Sequence, residues 1–316
     1  MADQLQDDDI LLYYEGNSYH CHRVLLALGE KRLSFKKIEV DIFNLQNLSP
    51  NYMKLNPSGE TPTLVHGVEV VAGPEQILHY LDEAFPEPDS RLFPEESTKE
   101  SVKCQYFLKL AAKIDLDTLT LGVPMKTELA QVDGDELDNG YREQDVQKVL
   151  MLCRESIPEK CDQLAEENSE LKDNYQKLKE RSLSFPDCID DDELDAALKM
   201  TNDVMAKLED ELKTRRIEEP PEKEWWLIGK TFSAVDVYWA SILHRLEQLG
   251  LAKRYWANGK RPHVTAYLSR IKQRETFTKV PRTRFEKFVD GIKRRWPWMV
   301  PAAGFAAAGA LALIIM

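Results

Sequence analysis

The Pro-rich stretch FPEPDSRLFPEES, residues 85–97, divides the chain into two parts that do not share one secondary-structure period. Before it, apolar residues come in short runs bounded by turn residues, and after it they recur at helical spacing inside long charged segments. Proline has no amide hydrogen and a fixed φ, so neither a helix nor a strand runs through this stretch. At 316 residues the chain also exceeds what a single compact core serves. The expected organisation is an N-terminal domain over 8–86, a linker over 87–98, and an all-α domain over 99–290 with a charged helical insertion at about 120–200. A basic neck and apolar tail over 291–316 complete it.

The first part reads in order as a strand at ILLYY (10–14), a helix from Ser18 to Lys31, a strand at FKKIEV, and an irregular stretch containing NLSPNYMKLNPSGE. TPTLV and VEVV, joined by a turn at His66-Gly67, read as a hairpin, and a helix follows from Gln76 to Phe85. Ser18 stands immediately before the first helix, where a hydroxyl acts as N-cap. Val24, Leu25, Ala27 and Leu28 form its apolar face.

The formal net charge of -12 hides an asymmetry. Residues 253–295 hold 14 Lys and Arg against Glu275, Glu286 and Asp290, so the preceding chain carries about -23. A basic neck before an apolar tail suits an anionic membrane surface better than nucleic acid. Residues 297–316 (PWMVPAAGFAAAGALALIIM) hold no charge. As a helix they would span about 30 Å, or about 24 Å if Pro301 starts the regular part. They are expected to insert as a single-pass anchor, with Trp296 and Trp298 at the interface and Lys293, Arg294 and Arg295 at the headgroups. The opening MADQLQDDDI is acidic without an apolar run, so neither a secretory signal nor a transit peptide is expected there. Five cysteines without a C-x-x-C pair point to a reducing compartment.

Leu164, Leu171 and Leu178 stand seven apart in Glu- and Lys-rich sequence. They read either as a short coiled-coil stripe or as one leucine seam packed on its own domain. The DDDE run at 190–193 is placed at a helix start, where acidic residues suit the dipole. Ser233 and Asp236, spaced as a capping box, are read as structural, with Trp225, Trp226, Val237, Trp239 and Leu243 as core around them. His20-Cys21-His22 has metal-binding residue types, but neighbours on a helix point in different directions, so no metal site is assigned. Cys21, near a helix N-terminus, is either a redox thiol or a buried inert one.

The stretches YYEGNSYHCHRVLLALGEK, LNPSGETPTLVHGVEVV, EQILHYLDEAF and LIGKTFSAVDVYWASILHRL resemble the glutathione-transferase fold. With HRLEQLGLAKRYWANGKRPHVTAYLSRIKQRETFTKV, the charged insertion and the apolar tail, the chain resembles the ganglioside-induced differentiation-associated protein family. That resemblance implies a thioredoxin-like α+β domain followed by an all-α domain with a long insertion and one C-terminal transmembrane helix. It implies a homodimer tail-anchored in the mitochondrial outer membrane, body in the cytosol, influencing network dynamics, fission and redox state. Peroxisomal and endoplasmic reticulum membranes are the alternatives.

In the glutathione-transferase superfamily a residue at the position of Ser18 activates the glutathione thiol. A hydroxyl donor at a helix N-terminus stabilises a thiolate. Glu60-Thr61-Pro62 resembles the superfamily's cis-proline turn, whose residue before proline pairs with the cysteinyl part of glutathione. At Gly73-Pro74 the chain departs from the pattern of an acidic residue or Gln followed by Ser that holds the γ-glutamyl end. Glycine has no side chain and proline no N–H. Glu75 and Gln76 are the candidate substitutes. Two functions stay open: a binding protein with weak or no conjugation, and an active transferase or peroxidase using Ser18. Glutathione is the one ligand implied.

Overall fold

The computed structural model describes residues 9–126, 129, 143–186, 188–218 and 225–279. The expected anchor, with Lys293, Arg294, Arg295, Trp296 and Trp298, lies outside the described residues. Among the described residues no helix is long and apolar enough to cross a membrane.

The N-terminal part forms a four-stranded sheet in the order β2-β1-β3-β4. Strand β1 (Ile10–Tyr14) alternates buried Ile10, Leu12 and Tyr14 with half-buried neighbours, the period-2 pattern of a central strand. It runs parallel to β2 (Lys36–Glu39) and antiparallel to β3 (Thr63–His66), which closes a hairpin with β4 (Glu69–Ala72). Gly67 takes a left-handed φ of 58° in that turn, which glycine adopts without the strain a Cβ brings. The parallel pair is joined by helix α1 (Tyr19–Glu30), whose residues from Cys21 to Leu28 are all buried. The expected apolar face was therefore too narrow, because α1 packs on one side against α3 (Pro74–Ala84) and on the other against the second domain. The short helix α2 (Pro50–Leu55) lies between β2 and β3.

The linker is tied rather than loose. Asp82 on α3 accepts the N–H groups of Leu92 and Phe93, both at 2.8 Å, and pairs with the buried Lys31 ammonium at 2.8 Å. Removing any one partner of such a buried group costs more than the bond itself is worth.

The second domain is helical. Thr98 caps α4 (Lys99–Ala111) and Asp115 caps α5 (Leu116–Gly122), each accepting a backbone N–H one turn on. Next come α6 (Glu143–Met151), a π turn at Leu152–Ser156, α7 (Ile157–Glu167) and α8 (Lys172–Leu183). Asp190 accepts the N–H groups of Asp192 and Glu193, so the DDDE run does start α9 (Asp191–Glu218). Helix α9 sends Leu198, Met205, Leu208 and Leu212 into the main core, and so belongs to the domain proper rather than to the insertion expected to reach about residue 200. Helix α10 (Ala234–Gln248) is the central helix, and α11 (Ala252–Tyr255), α12 (Pro262–Gln273) and α13 (Glu275–Thr278) finish the described chain.

The coiled-coil reading fails. The Asn168 side chain bonds back to the Leu164 carbonyl at 3.0 Å and the helix stops there, so Leu164 lies on α7, Leu171 in the 3-10 turn Ser169–Leu171 and Leu178 on α8. The alternative, packing on its own domain, is also incomplete. Leu164, Leu171, Tyr175 and Leu178 form a second small core with Leu48 and Met53 of the N-terminal domain. Tyr175 donates to the Leu48 carbonyl at 2.9 Å, and Arg181 reaches Glu60 at 2.8 Å and the Ser58 carbonyl at 2.6 Å.

Candidate functional site

Ser18 caps α1 as expected, accepting the Cys21 N–H on its hydroxyl at 3.3 Å. An accepting hydroxyl keeps its own hydrogen to donate, so the cap role leaves thiolate stabilisation available. Ser18 opens on a mostly apolar cavity of about 240 Å³ between the domains, walled by Ile42, Phe43, Leu121, Val146 and Val149 with Asn17, His20 and Arg245. Two of those walls, Val146 and Val149, come from α6.

The peptide bond Thr61-Pro62 is cis, placing Thr61 at the entrance of β3. Between Ser18 and Thr61 lies the Cys21 thiol, which both side chains hydrogen-bond and to which the Glu15 N–H donates at 3.3 Å. Burial pushes that thiol up to about 11, more than the three hydrogen bonds pull it down. Of the two readings of Cys21, the buried inert thiol is the one the structure supports, because a neutral thiol is a poor nucleophile.

The γ-glutamyl half is different. Gly73, at φ 87°, is the N-cap of α3 and gives its N–H to the Pro62 carbonyl at 3.0 Å, while Pro74 fills the first helical position. A Cβ on Gly73 would stand 2.6 Å from the Gln76 side-chain oxygen. Glu75 is exposed; it faces Arg23 and Tyr238 electrostatically and lines the groove between α3 and α4. Thus Ser18 and Thr61 are brought together through Cys21, whereas Glu75 and Gln76 do not line the Ser18 cavity. The residues fit the cysteinyl part of glutathione and lack the family's groups for its γ-glutamyl end.

His20, Cys21 and His22 diverge. The His20 ring lies on Tyr19 with centroids 4.0 Å apart, Cys21 faces Glu15, and His22 Nε2 meets the Gly16 carbonyl at 3.0 Å. Among the described residues no cluster of three or more His, Cys, Asp and Glu could hold a metal ion. Burial first, and then Arg23 and Arg245, hold His20 down at about 4. The sequence reading missed those two arginines. Arg245 of α10 is buried and donates to the Asn17 carbonyl and to Thr120 Oγ1 at 3.1 Å, while Arg23 Nε donates to Ser241 Oγ at 2.9 Å. Together they flank Tyr19, whose hydroxyl donates to Asp117 at 3.1 Å. A lone arginine inside an otherwise apolar helix face was the signal available.

Ser233 and Asp236 form the capping box. Asp236 is fully buried and accepts from Ser233 N–H (3.0 Å), Ser233 Oγ (2.8 Å), Leu227 N–H (2.9 Å) and Tyr267 Oη (2.6 Å). It joins α10 to α12 as well as capping α10.

The chain matches the family profile of the glutathione S-transferase N-terminal domain over residues 17–84 and that of the C-terminal domain over residues 149–275. Human ganglioside-induced differentiation-associated protein 1-like 1 is 27% identical over 278 residues, which cover 86% of this chain and 74% of the relative. The chain belongs to the ganglioside-induced differentiation-associated protein family. Glutathione S-transferase 1 of Dianthus caryophyllus is 42% identical, but over 83 residues that cover 26% of this chain and 37% of the relative. The β-etherase LigF of Sphingobium superposes with a TM-score of 0.58 at 22% identity over 88% of this chain and 99% of its own. Ure2p in complex with S-hexylglutathione gives 0.57 at 13%, covering 88% of this chain and 100% of its own, so both show the fold alone. As a member of the ganglioside-induced differentiation-associated family, the chain has the thioredoxin-like and all-α domains of the glutathione transferases.

Proposed function

We propose that this is a membrane-tethered, non-classical glutathione-transferase-like protein of the mitochondrial outer membrane, with weak or no glutathione conjugation. In this reading it acts by binding and contact, as a homodimer, on mitochondrial network dynamics, fission and redox state. The observation that carries the loss of conjugation is Gly73-Pro74, where the N–H of Gly73 is already spent on Pro62 and Pro74 has none. Each missing contact to a charged ligand end costs about 1.5–3 kcal/mol, roughly ten- to hundredfold in affinity. The tether is supported by residues 297–316, apolar and uncharged behind Lys293, Arg294 and Arg295.

Calorimetry of the chain truncated after residue 290 tests the reading. Glutathione should bind at millimolar strength or weaker, and a low-micromolar Kd would overturn it. A second reading, a working transferase or peroxidase, is favoured by the Ser18 hydroxyl at the start of α1 beside the cis Thr61-Pro62 turn. Ser18→Ala should leave the fold and any residual conjugation little changed. A selective loss of turnover would install the second reading instead.

A further inference from the structure

A groove of about 790 Å³ opens between the domains at the C-terminal end of α1, at the opposite end of that helix from Ser18. The last described segment forms one of its walls. Arg274 grips Glu30 through two bonds of 2.9 and 2.6 Å, Thr276 Oγ1 donates to the same carboxylate at 2.5 Å, and the Thr276 methyl lies 3.1 Å from where a Cβ on Gly29 would stand. Arg274 also lies over the Trp226 and Phe232 rings. The chain is thus fastened to the body at this groove before it continues into residues 280–295.

The charges of the groove divide cleanly. Glu30 is engaged by Arg274, and Glu275 is bridged by Lys279 at 2.6 Å. Exposed Arg32 and Lys230 then line the groove against Asp89, an excess of positive charge on a body whose first 252 residues carry about -23. Residues 280–295 add six basic residues against Glu286 and Asp290, and lead to the apolar 297–316. We propose that this groove is the membrane-facing surface of the body and seats the phosphate headgroups of anionic lipids. A net-negative body is repelled by an anionic leaflet, so a positive groove beside the chain's path to the tail is a face that can approach it. The inference rests on the reading that residues 297–316 insert in a bilayer.

The full chain in nanodiscs of phosphatidylcholine alone, or with about one-third phosphatidylserine, tests this by hydrogen exchange. Residues 30–37 and 229–232 should exchange more slowly in the anionic discs. Arg32→Asn with Lys230→Gln should abolish that difference, each lost cation weakening the contact about fivefold. Asn suits the left-handed backbone at residue 32, φ 55°, and both side chains are exposed, so the variant keeps its fold, as circular dichroism would check. Equal exchange in both disc types, with the protein retained on the discs, overturns the inference and leaves the tether standing. Protein that floats free of both disc types overturns the tether and the inference together. Equal protection by millimolar inorganic phosphate in neutral discs would assign the groove to a soluble anion and overturn the lipid assignment.

Discussion

Gly59→Ala probes the least expected contact in the molecule, the clasp of the α7–α8 hairpin on the loop before the cis-proline turn. Gly59 has φ 67°, and an added Cβ would stand 2.6 Å from Leu178 Cδ1 and 3.4 Å from Met53 Sδ. Holding alanine in the left-handed region costs about 1–2 kcal/mol, and overpacking a closed core adds about 1–3 kcal/mol. The single variant should therefore lose roughly 2–5 kcal/mol locally. Leu178→Ala alone removes a buried leucine and should lose about 2–4 kcal/mol. Combined, the clash disappears while the backbone strain persists, so the double variant should fall short of the sum by about 1–3 kcal/mol. Native-state hydrogen exchange of residues 45–60 reads this opening directly, without assuming that two cores unfold as one. Strict additivity, within about 0.5 kcal/mol, would mean that the hairpin does not press on this loop.

Asp236→Ala should cost about 3 kcal/mol or more, because it strands three donors besides the cap hydroxyl, whereas Ser233→Ala should cost about 0.5–2 kcal/mol. Equal losses in urea unfolding would contradict the four-bond account. His22 is held down at about 4 chiefly by burial, so its neutral form belongs to the native state and its contribution is complete above pH 6.5. That contribution is lost as pH falls toward 4, about 2 kcal/mol of it by pH 5. His22→Gln should flatten this part of the melting-temperature profile, and an unchanged slope would remove His22 as its cause. Deleting residues 297–316 should make the protein extractable by alkali, and resistance to extraction would show that the body itself holds the membrane. Replacing Lys293, Arg294 and Arg295 by Ser should redistribute the protein among membranes before it loosens insertion, as imaging would show.

What could be read without coordinates was local. The β1 run, the Ser18 cap, the 190–193 helix start and the 233–236 box each depend on residues within one turn of each other, and each is found where expected. The leucine seam misled because a spacing of seven is the same on one helix and across two, although Asn168-Ser169 inside the run was a readable stop. Docking of that hairpin on Leu48 and Met53 joins residues more than a hundred positions apart and has no local signature. The same holds for Arg23 on Ser241 and Arg245 on Asn17, which fasten the domains beside the cavity. A hydroxyl and a carbonyl are among their partners, and such contacts leave no pattern of paired charges in the sequence.

The retained and the lost parts of the glutathione site differ in what else they do. Ser18 caps α1, Thr61-Pro62 starts the central hairpin, and Cys21 fills space between them, so the fold would hold all three with no ligand at all. Their presence is therefore weak support for binding. The groups that would grip a charged γ-glutamyl end have a smaller second employment, since an acidic side chain at position 73 would only cap α3, for about 1 kcal/mol, and an N–H at position 74 would be one of the unpaired donors of its first turn. At those positions a ligand would be the larger demand, and there the chain has Gly and Pro, which instead close the β4–α3 corner through Gly73 N–H and Pro62. A site is best judged by the residues that the architecture does not need. By that measure this chain has kept the architecture of a glutathione transferase and turned its ligand corner into a structural one.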